Sequence, residues 1–228
     1  MTDESPDLRK WRLPRGRHGL PRELVVRSQR ERLLAAVVRV TAAKGYEAMS
    51  VADILAEAGV GRESFYDLFE DKRDCALAAH TVLLDHLETS VRAIYDEPGP
   101  WEDRVRKSVA AMLEWFASDP AAARFTIVEL AALGPESRDR FQEVFQRYSQ
   151  ILEEGREGSA APDPERPQAA ALAISAGLAR VYEEVVRGRT TELPNLLPQM
   201  TYEVLVPFIG EEAARAEERR AAEMLAAG

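Results

Sequence analysis

The sequence predicts an all-α protein, and three observations support that class. Apolar residues recur at the three- and four-residue spacing of a helix, as Leu33, Val37 and Val40 do. Prolines and glycines divide the chain into segments of helical length, for example at the run from Glu97 to Pro100. No segment alternates polar and apolar residues for long enough to form a half-buried strand. We therefore expect nine or ten helices and no sheet.

The breaks between periodic segments give the expected helix bounds. Residues 1–22 are rich in proline, glycine and arginine and are expected to be extended, and residues 158–167 contain three prolines and are expected to form a loop. The predicted helices are Glu23 to Lys44, Val51 to Ala58, Arg62 to Phe69, Asp71 to Tyr95, Glu102 to Ala117, Ala121 to Leu133, Glu136 to Glu157, Gln168 to Arg187, Leu193 to Ile209 and Glu211 to Ala227.

Charge is distributed unevenly along the chain. The formal net charge is -9, yet the segment from Arg9 to Lys44 contains eleven Lys or Arg residues and two acids. Residues 76–228 instead contain 16 basic and 26 acidic residues. A cationic segment at one end of an acidic chain is typical of a region that approaches a polyanion such as DNA.

Cysteine content and hydropathy indicate a soluble cytoplasmic protein. The single cysteine, Cys75, cannot form an internal disulfide, and the first residues lack the apolar stretch of a signal peptide. The longest uncharged run of small and apolar residues, 168–179, is shorter than the roughly 20 residues that a bilayer requires. Cys75 lies beside Lys72 and Arg73, which would lower its pKa in a redox sensor. The alternative is a small buried residue at the start of the fourth helix.

Two short predicted helices flank a turn that contains Gly59, a residue that tolerates a positive φ. Ser50 and Asp53 match the spacing of a capping box, which marks the start of the first short helix. Apolar residues on both helices are spaced so that they meet beneath the turn, as in a helix-turn-helix: Ile54, Leu55, Val60, Phe65, Leu68 and Phe69. The outer side of the second helix carries hydrogen-bonding groups suited to base edges and phosphates, namely Arg62, Glu63, Ser64, Tyr66 and Asp67.

These residues belong to a longer ordered pattern. It comprises Gly45-Tyr46, Ser50 to Ile54, the run from Ala58 to Phe69, and Lys72. Over residues 27–75 the pattern resembles the tetracycline-repressor-like (TetR) family of regulators. The resemblance implies a DNA-binding domain over residues 23–70, preceded by the arm 1–22 and followed by a helical effector-binding and dimerisation domain over 71–228.

The resemblance also implies roles for single residues. Arg62 and Ser64 would reach bases or the adjoining backbone, and Tyr66 would touch a phosphate and a thymine methyl group. Lys72 would bind a phosphate beside the fourth helix, and Ser50 would both cap its helix and donate to a phosphate. The predicted contacts of this domain with DNA are Ser50, Arg62, Glu63, Ser64, Tyr66 and Lys72.

The basic arm contains the sequence Arg15-Gly16-Arg17, which resembles an AT-hook. Glycine lets the backbone approach the floor of an A·T-rich minor groove, while the flanking guanidinium groups of Arg15 and Arg17 meet its strong negative potential. The alternative is a disordered arm that makes diffuse phosphate contacts. The sequence leaves both interpretations open.

Aromatic residues concentrate between positions 101 and 150. By resemblance to the family, we expect them to line an apolar ligand pocket with Glu129 as a polar group for orientation, although each residue alone fits an ordinary core. The predicted ligand-binding residues are Trp101, Met112, Trp115, Phe116, Phe125, Glu129, Phe141, Phe145 and Tyr148.

Small residues dominate the run 169–179 of the eighth predicted helix. Because small side chains let helices approach closely, this helix is a natural surface for self-association, and the resemblance to the TetR family implies that it forms the dimer interface together with the next helix. The alternative is that the small residues pack inside their own subunit. The predicted interface residues are Leu172, Ala176, Ala179, Leu197 and Val204.

The sequence offers no catalytic set. Its histidines, His18, His80 and His86, include no pair at metal-ligand spacing, and no glycine-rich loop could hold phosphates. We therefore predict no enzyme activity, no cofactor and no metal.

The predicted function is a homodimeric repressor that is released from an inverted-repeat operator by an unidentified small-molecule effector. Two alternatives remain open: a regulator of the same fold without a ligand, and a helical binding protein or enzyme with an incidental helix-turn-helix.

Overall fold

The computed structural model describes residues 21–157 and 169–227, and all regular structure in these ranges is helical. The predicted all-α class is therefore confirmed. The described residues form ten α-helices: α1 (Arg22–Lys44), α2 (Val51–Ala58), α3 (Arg62–Tyr66), α4 (Lys72–Tyr95), α5 (Trp101–Ser118), α6 (Pro120–Ile127), α7 (Pro135–Glu157), α8 (Ala169–Val186), α9 (Leu197–Ile209) and α10 (Glu211–Ala227). Two 3-10 segments, Glu129–Leu133 and Thr190–Leu196, connect neighbouring helices. Each helix in these ranges is too short or too polar to cross a membrane.

The predicted turn between α2 and α3 is confirmed. Gly59 ends α2 at φ 60° and ψ 39°, the left-handed conformation that glycine adopts at little cost. At the other end of α2, Ser50 and Asp53 form the predicted capping box. These local signals fix the length of α2 at eight residues.

Three predicted helix bounds are wrong. Helix α3 ends at Tyr66 rather than Phe69, because the Phe65 carbonyl accepts both the Leu68 and Phe69 amides at 3.0 and 2.9 Å in a tight turn. The segment predicted as one helix to Leu133 changes to a 3-10 segment after Ile127. Helix α9 starts at Leu197 rather than Leu193. Pro194 lies in the preceding 3-10 segment, and Pro198 occupies the first turn of α9, where its missing N–H costs nothing.

The first core cluster joins the N-terminal helices to the rest of the protein. Phe65 and Ile54 are fully buried between α1, α2 and α3. Phe125 of α6 and Leu133 belong to the same cluster, so α6 packs directly on α1. A buried phenylalanine stabilises a fold by about 1.5 to 3 kcal/mol relative to an exposed one. The helix-turn-helix is thus anchored to the larger helical part through apolar packing.

Two further clusters form the larger helical part. One lies among α4, α5, α8 and α9 and includes Leu113, Phe116 and Val181. The other includes Tyr95 and Phe208 and joins the ends of α4, α7 and α9 to α10. Together these clusters surround the cavity described below.

Candidate nucleic-acid interface and ligand cavity

Helix α3 has one buried face and one exposed face. Phe65 is fully buried, whereas the neighbouring Tyr66 is 48% exposed and meets the Phe65 ring edge-on at 5.3 Å. Arg62 and Glu63 are exposed on the outer side, and the Arg62 guanidinium lies 5.6 Å from the centre of the Tyr66 ring. Packing through Phe65 therefore presents a rigid, polar and aromatic surface to the solvent.

Ser64 lies at the edge of this surface and is half-buried. Its hydroxyl accepts a hydrogen bond at 3.3 Å from the Gln29 side chain of α1. This contact ties α3 to α1 and orients the hydroxyl. The sequence-based prediction that Ser64 contacts DNA stays a prediction.

The hydroxyl of Ser50 is engaged in its cap. It donates to the Asp53 carboxylate at 2.6 Å and accepts from the Asp53 amide at 3.3 Å. Lys44 forms an ion pair with the same carboxylate at 2.7 Å. Hydrogen bonding from Lys44, followed by that from Ser50, holds the pKa of Asp53 well below its usual range. The capping role is therefore observed, while the predicted phosphate contact of Ser50 stays a prediction.

Lys72 extends from the first turn of α4 beneath the loop between α1 and α2. Its ammonium group donates to the carbonyl oxygens of Tyr46, Glu47 and Met49 at 3.1, 3.3 and 2.9 Å. It also lies 4.7 Å from the centre of the Tyr46 ring, within the range of a cation–π contact. The Lys72 ammonium group therefore holds the loop between α1 and α2 in place through these hydrogen bonds. Its predicted phosphate contact stays a prediction.

Arg32 is a positioning residue that the sequence analysis missed. Its guanidinium group donates to the carbonyl of Gly59 at 2.7 Å and to that of Ala58. These are carbonyls at the end of α2, where a cation is also favoured by the helix dipole. Arg32, which lies on α1, therefore holds the turn between α2 and α3 in place. No sequence pattern indicates this role, because a backbone carbonyl has no signature of its own.

Several cations of the basic N-terminal segment are neutralised within the protein. Arg39 pairs with Glu57 at 2.6 Å and Arg27 with Glu31 at 2.9 Å. Among the described residues of this region, Arg22, Arg30 and Arg62 are exposed and form no ion pair. Arg15 and Arg17 lie outside the described residues. The cationic surface available to a polyanion is thus smaller than the count of basic residues indicates.

An apolar cavity of about 110 Å³ lies in the larger helical part. Residues of α4 to α9 line it, including Leu84, Val91, Ala173 and Met200. Five of the nine predicted ligand-binding residues are among its walls: Met112, Phe116, Phe141, Phe145 and Tyr148.

The other four predicted ligand-binding residues do not line this cavity, which corrects the expectation that the group shares one pocket. Trp101 packs on Phe208 at 5.6 Å and donates to a backbone carbonyl. The Trp115 indole donates to Nδ1 of His86 at 2.7 Å. Phe125 is buried against α1, and Glu129 accepts the Tyr46 amide at 3.2 Å. The aromatic rings of these helices belong to several different core clusters, and the sequence does not indicate which rings face the cavity.

The sequence analysis did not predict two polar residues of the cavity wall, Ser108 and Thr126. Serine and threonine within a helix commonly bond to their own backbone, so nothing in the pattern marks these two as pocket residues. Tyr148 also lines the cavity, but its hydroxyl oxygen, like those of Ser108 and Thr126, is covered by neighbouring atoms. Burial, followed by the charge of nearby Glu88, raises the pKa of Tyr148, so this hydroxyl is neutral at physiological pH.

The predicted dimer interface divides into two groups. Leu172 is 67% exposed, and Ala176 and Ala179 are exposed on the same face of α8. Leu197 and Val204 are only 2% and 6% exposed and belong to the subunit's own core, so their prediction as interface residues is wrong. Helix α9 is apolar on more than one side, and its inward face contacts α5 and α8.

Exposed apolar side chains extend the α8 face beyond the predicted residues. Tyr182 and Val186 lie further along this helix, and both are exposed. They follow Leu172 and Ala179 at helical spacing. The face is therefore apolar over more than two turns.

Cys75 is fully buried in the first core cluster. Desolvation, followed by the charge of Asp74, raises the pKa of its thiol to about 12. Of the two interpretations of Cys75 that the sequence left open, the structure therefore supports the small buried residue and contradicts the redox sensor with a pKa lowered by Lys72 and Arg73. Reactive cysteines are exposed and have lowered pKa values, whereas Cys75 has neither property.

Comparison with known proteins agrees with this architecture. Residues 33–79 match a family model described as "Bacterial regulatory proteins, tetR family", and residues 98–183 match the "Tetracyclin repressor-like, C-terminal domain". An uncharacterised helix-turn-helix-type transcriptional regulator of Lactococcus lactis is 26% identical over 53% of this chain and 64% of its own length. This relative and two other curated regulators align with the chain over only 57 to 64% of their own lengths.

Solved structures share the fold. The fatty acid degradation regulator FadR of Bacillus halodurans superimposes with a TM-score of 0.71 at 21% identity, covering 78% of this chain and 94% of its own. FadR of Bacillus subtilis, solved with stearoyl-CoA, gives 0.67 at 20% identity over 78% of this chain and 97% of its own. With family models matching both its helix-turn-helix and its larger helical part, the chain belongs to the tetR family of bacterial regulatory proteins.

Proposed function

We propose that the protein is a sequence-specific DNA-binding regulator that acts as a repressor. The observation that carries this proposal is the outer face of α3, where Arg62 and Tyr66 are exposed while Phe65 anchors the helix from behind. A short helix held in this way fits the major groove of B-DNA. Its site of action is the bacterial cytoplasm, and membership of a regulator family favours this role over an enzymatic one.

In the proposed complex, Arg62 reads base edges and Tyr66 contacts a phosphate and a thymine methyl group. Glu63 and Ser64 lie beside them on α3, and Ser50 caps α2 next to the backbone. The arm with Arg15 and Arg17 adds contacts to a flanking minor groove or to phosphates. Among the described residues the exposed guanidinium of Arg62 forms no ion pair, which supports the assignment because a bidentate contact to guanine needs a planar donor group that is not held by a carboxylate.

The protein acts as a homodimer in this proposal, with the exposed face of α8 at the twofold axis. Leu172, Ala176 and Ala179 contribute to that face, and their exposure in the isolated chain supports an apolar contact with a second copy. Because the two copies of α3 are related by the twofold axis, the operator is an inverted repeat. Residues 1–22, 23–70 and 71–228 serve as arm, DNA-binding domain and effector domain.

The cavity is the proposed effector site. Thr126 lines it, and the adjacent Phe125 packs against α1 in the N-terminal core. Helix α4 also connects the two regions, since it starts at Lys72 and reaches the cavity at Leu84. A ligand that favours one arrangement of α4 and α6 therefore changes the spacing of the two α3 helices and releases the operator.

DNA binding by the full chain to its own upstream region tests the proposal. Fluorescence anisotropy should show at least about 10³-fold tighter binding to this duplex than to a shuffled duplex of equal length at the same salt concentration. Arg62→Ala should reduce that preference by about 1 to 3 kcal/mol. Arg219, an exposed arginine of α10, provides the charge-matched control Arg219→Ala, which should leave binding unchanged.

Equal affinity for both duplexes, or equal losses for the two variants, would contradict sequence-specific reading by α3. Specific binding that no cavity ligand weakens would instead favour a regulator of the same fold without an effector.

A further inference from the structure

The Glu129 carboxylate joins the larger helical part to the loop between α1 and α2. One of its oxygens accepts the Tyr46 amide at 3.2 Å, and the other lies 3.5 Å from the Arg124 guanidinium. Glu129 starts the 3-10 segment that follows α6, and Tyr46 lies shortly after the end of α1. The Glu129 side chain is 12% exposed, so the hydrogen bond lies in a largely desolvated environment, which strengthens it.

This hydrogen bond is a directional contact between two parts that otherwise pack through apolar surfaces. Within the described ranges, it is the only hydrogen bond or ion pair that joins residues 96–227 to residues 21–70. Helix α6 also packs on α1 through apolar residues that include Phe125. Apolar packing is non-directional and opposes separation more than rotation, whereas a hydrogen bond has a preferred distance and angle. The Glu129 bond therefore fixes the orientation of α1 relative to α6.

The backbone of Tyr46 is held by two elements of the larger helical part. Its N–H donates to Glu129, and its carbonyl accepts from Lys72 of α4 at 3.1 Å. Both elements extend to the cavity, because Thr126 of α6 and Leu84 of α4 line it. The two connections between the cavity and the N-terminal helices thus end on the same residue.

The loop that contains Tyr46 leads directly into the helix-turn-helix. Ser50, at the end of this loop, caps α2, and Arg32 of α1 holds the turn between α2 and α3. The three helices also share the buried core around Phe65 and Ile54. They therefore move as one body, and a rotation of α1 about α6 changes the position of α3.

We propose that Glu129 is a positioning residue, whose hydrogen bond to the Tyr46 amide sets the orientation of α3 relative to the larger helical part. This inference rests on the proposed function, because the orientation matters to a dimer that places two copies of α3 on one inverted repeat. A chain without the bond keeps every side chain of α3, so each copy still binds a half-site. The spacing of the two copies then varies more widely, which weakens simultaneous binding to both half-sites.

Two duplexes separate a loss of orientation from a loss of local stability. One carries the whole operator, and in the other duplex one half-site is shuffled. Glu129→Met keeps the approximate size of the side chain but removes the acceptor. In fluorescence anisotropy it should lower the affinity for the whole operator about tenfold, the effect of about one hydrogen bond to a charged group. The affinity for the duplex with one half-site should change by less than about twofold, because one copy of α3 needs no fixed spacing.

Two further variants assign the effect to the hydrogen bond. Glu129→Gln keeps an oxygen that accepts the Tyr46 amide, so it should retain the operator affinity of the wild-type chain to within about twofold. Glu184→Met is the matched control. Glu184 is 16% exposed and pairs with the partly exposed Arg189, as Glu129 does with Arg124, but it lies on α8. This control should leave the affinities for both duplexes unchanged.

A measurement without DNA tests the orientation itself. Spin labels at Asp67→Cys and Glu114→Cys mark the end of α3 and the exposed side of α5, while the buried Cys75 stays unlabelled. Dilution with unlabelled chain restricts the signal to pairs within one chain. Double electron–electron resonance should give a broader distance distribution in Glu129→Met than in the wild-type chain, Glu129→Gln or Glu184→Met.

Four results would overturn the inference: equal losses of affinity on both duplexes, equal effects of Glu129→Met and Glu129→Gln, equal effects of Glu129→Met and Glu184→Met, or an unchanged distance distribution. Loss of the folded structure in Glu129→Met would also overturn it, since Glu129 would then serve stability. If the wild-type chain does not distinguish its operator from a shuffled duplex, the proposed function is wrong, and the distance distributions still decide the role of Glu129.

Discussion

Replacement of Lys72 by methionine distinguishes a structural lysine from one that binds phosphate. Lys72→Met keeps most of the aliphatic chain but removes the ammonium group that donates to three carbonyls. The bonds to Tyr46 and Met49 are partly buried, whereas the bond to Glu47 is exposed and easily replaced by water. A hydrogen bond to a charged group contributes about 1.5 to 3 kcal/mol, and less when it is partly exposed. Loss of the two partly buried bonds should therefore lower the free energy of unfolding by about 2 to 4 kcal/mol.

Thermal unfolding and DNA binding together measure the effect of Lys72→Met. In a chain of this size each kcal/mol lowers the Tm by about 2 to 4 °C, so the Tm should fall by at least about 4 °C. Lys107→Met is the matched control. Lys107 forms only partly exposed ion pairs with Asp103 and Glu97, which contribute about 0 to 1 kcal/mol.

The salt dependence of operator affinity then tests the phosphate contact directly. If Lys72 only stabilises the loop between α1 and α2, the slope of log affinity against log salt should be the same for folded Lys72→Met as for the wild-type chain. A lost phosphate contact would instead reduce the slope by about 0.9. An unchanged Tm with this smaller slope would refute the structural role.

Three further predictions concern single residues. The buried thiol of Cys75, with its pKa raised to about 12, should react with a thiol reagent such as DTNB only after unfolding, and rapid labelling of the native protein would contradict this. Burial, followed by the charge of Arg140, lowers the pKa of His80 to about 4 in the folded state, against about 6.5 when unfolded. The unfolded state therefore binds the proton first, and the stability that is present above pH 6.5 should fall as pH drops towards 4, by about 2 kcal/mol between pH 7 and pH 5. Urea unfolding should show a smaller loss in His80→Gln, and an equal loss would assign the pH dependence to other groups. Leu172→Glu should dissociate the dimer in sedimentation, whereas Val82→Glu, at an exposed residue of α4, should not. Dissociation by both variants or by neither would refute the α8 interface.

The helix-turn-helix could be predicted from sequence because its signals are local. Ser50 and Asp53 are three residues apart, and Gly59 is the residue that a left-handed turn favours. The burial of Phe65 followed from the spacing of apolar residues in the two short helices. None of these features depends on a partner from a distant part of the chain.

The contacts that were missed all depend on distant partners. Arg32 caps a helix that ends 26 residues later, and Lys72 bonds to carbonyls of an earlier loop. The outward or inward position of Leu197 depends on how α9 packs against α5 and α8. Thr126 resembles any other helical threonine until α5 and α7 close the cavity around it. Sequence periodicity identifies an apolar face but does not identify what covers it.

Selection from a random-sequence duplex library tests the central claim most directly, because the library offers the protein all short operator sequences in one experiment. The wild-type chain should enrich an inverted repeat whose half-sites are related by the twofold axis of the dimer. The Arg62→Ala variant should still enrich the repeat but with relaxed preference at one position in each half-site. Failure of the wild-type chain to enrich any common sequence, at a salt concentration at which it binds DNA, would contradict the proposal that α3 reads an operator.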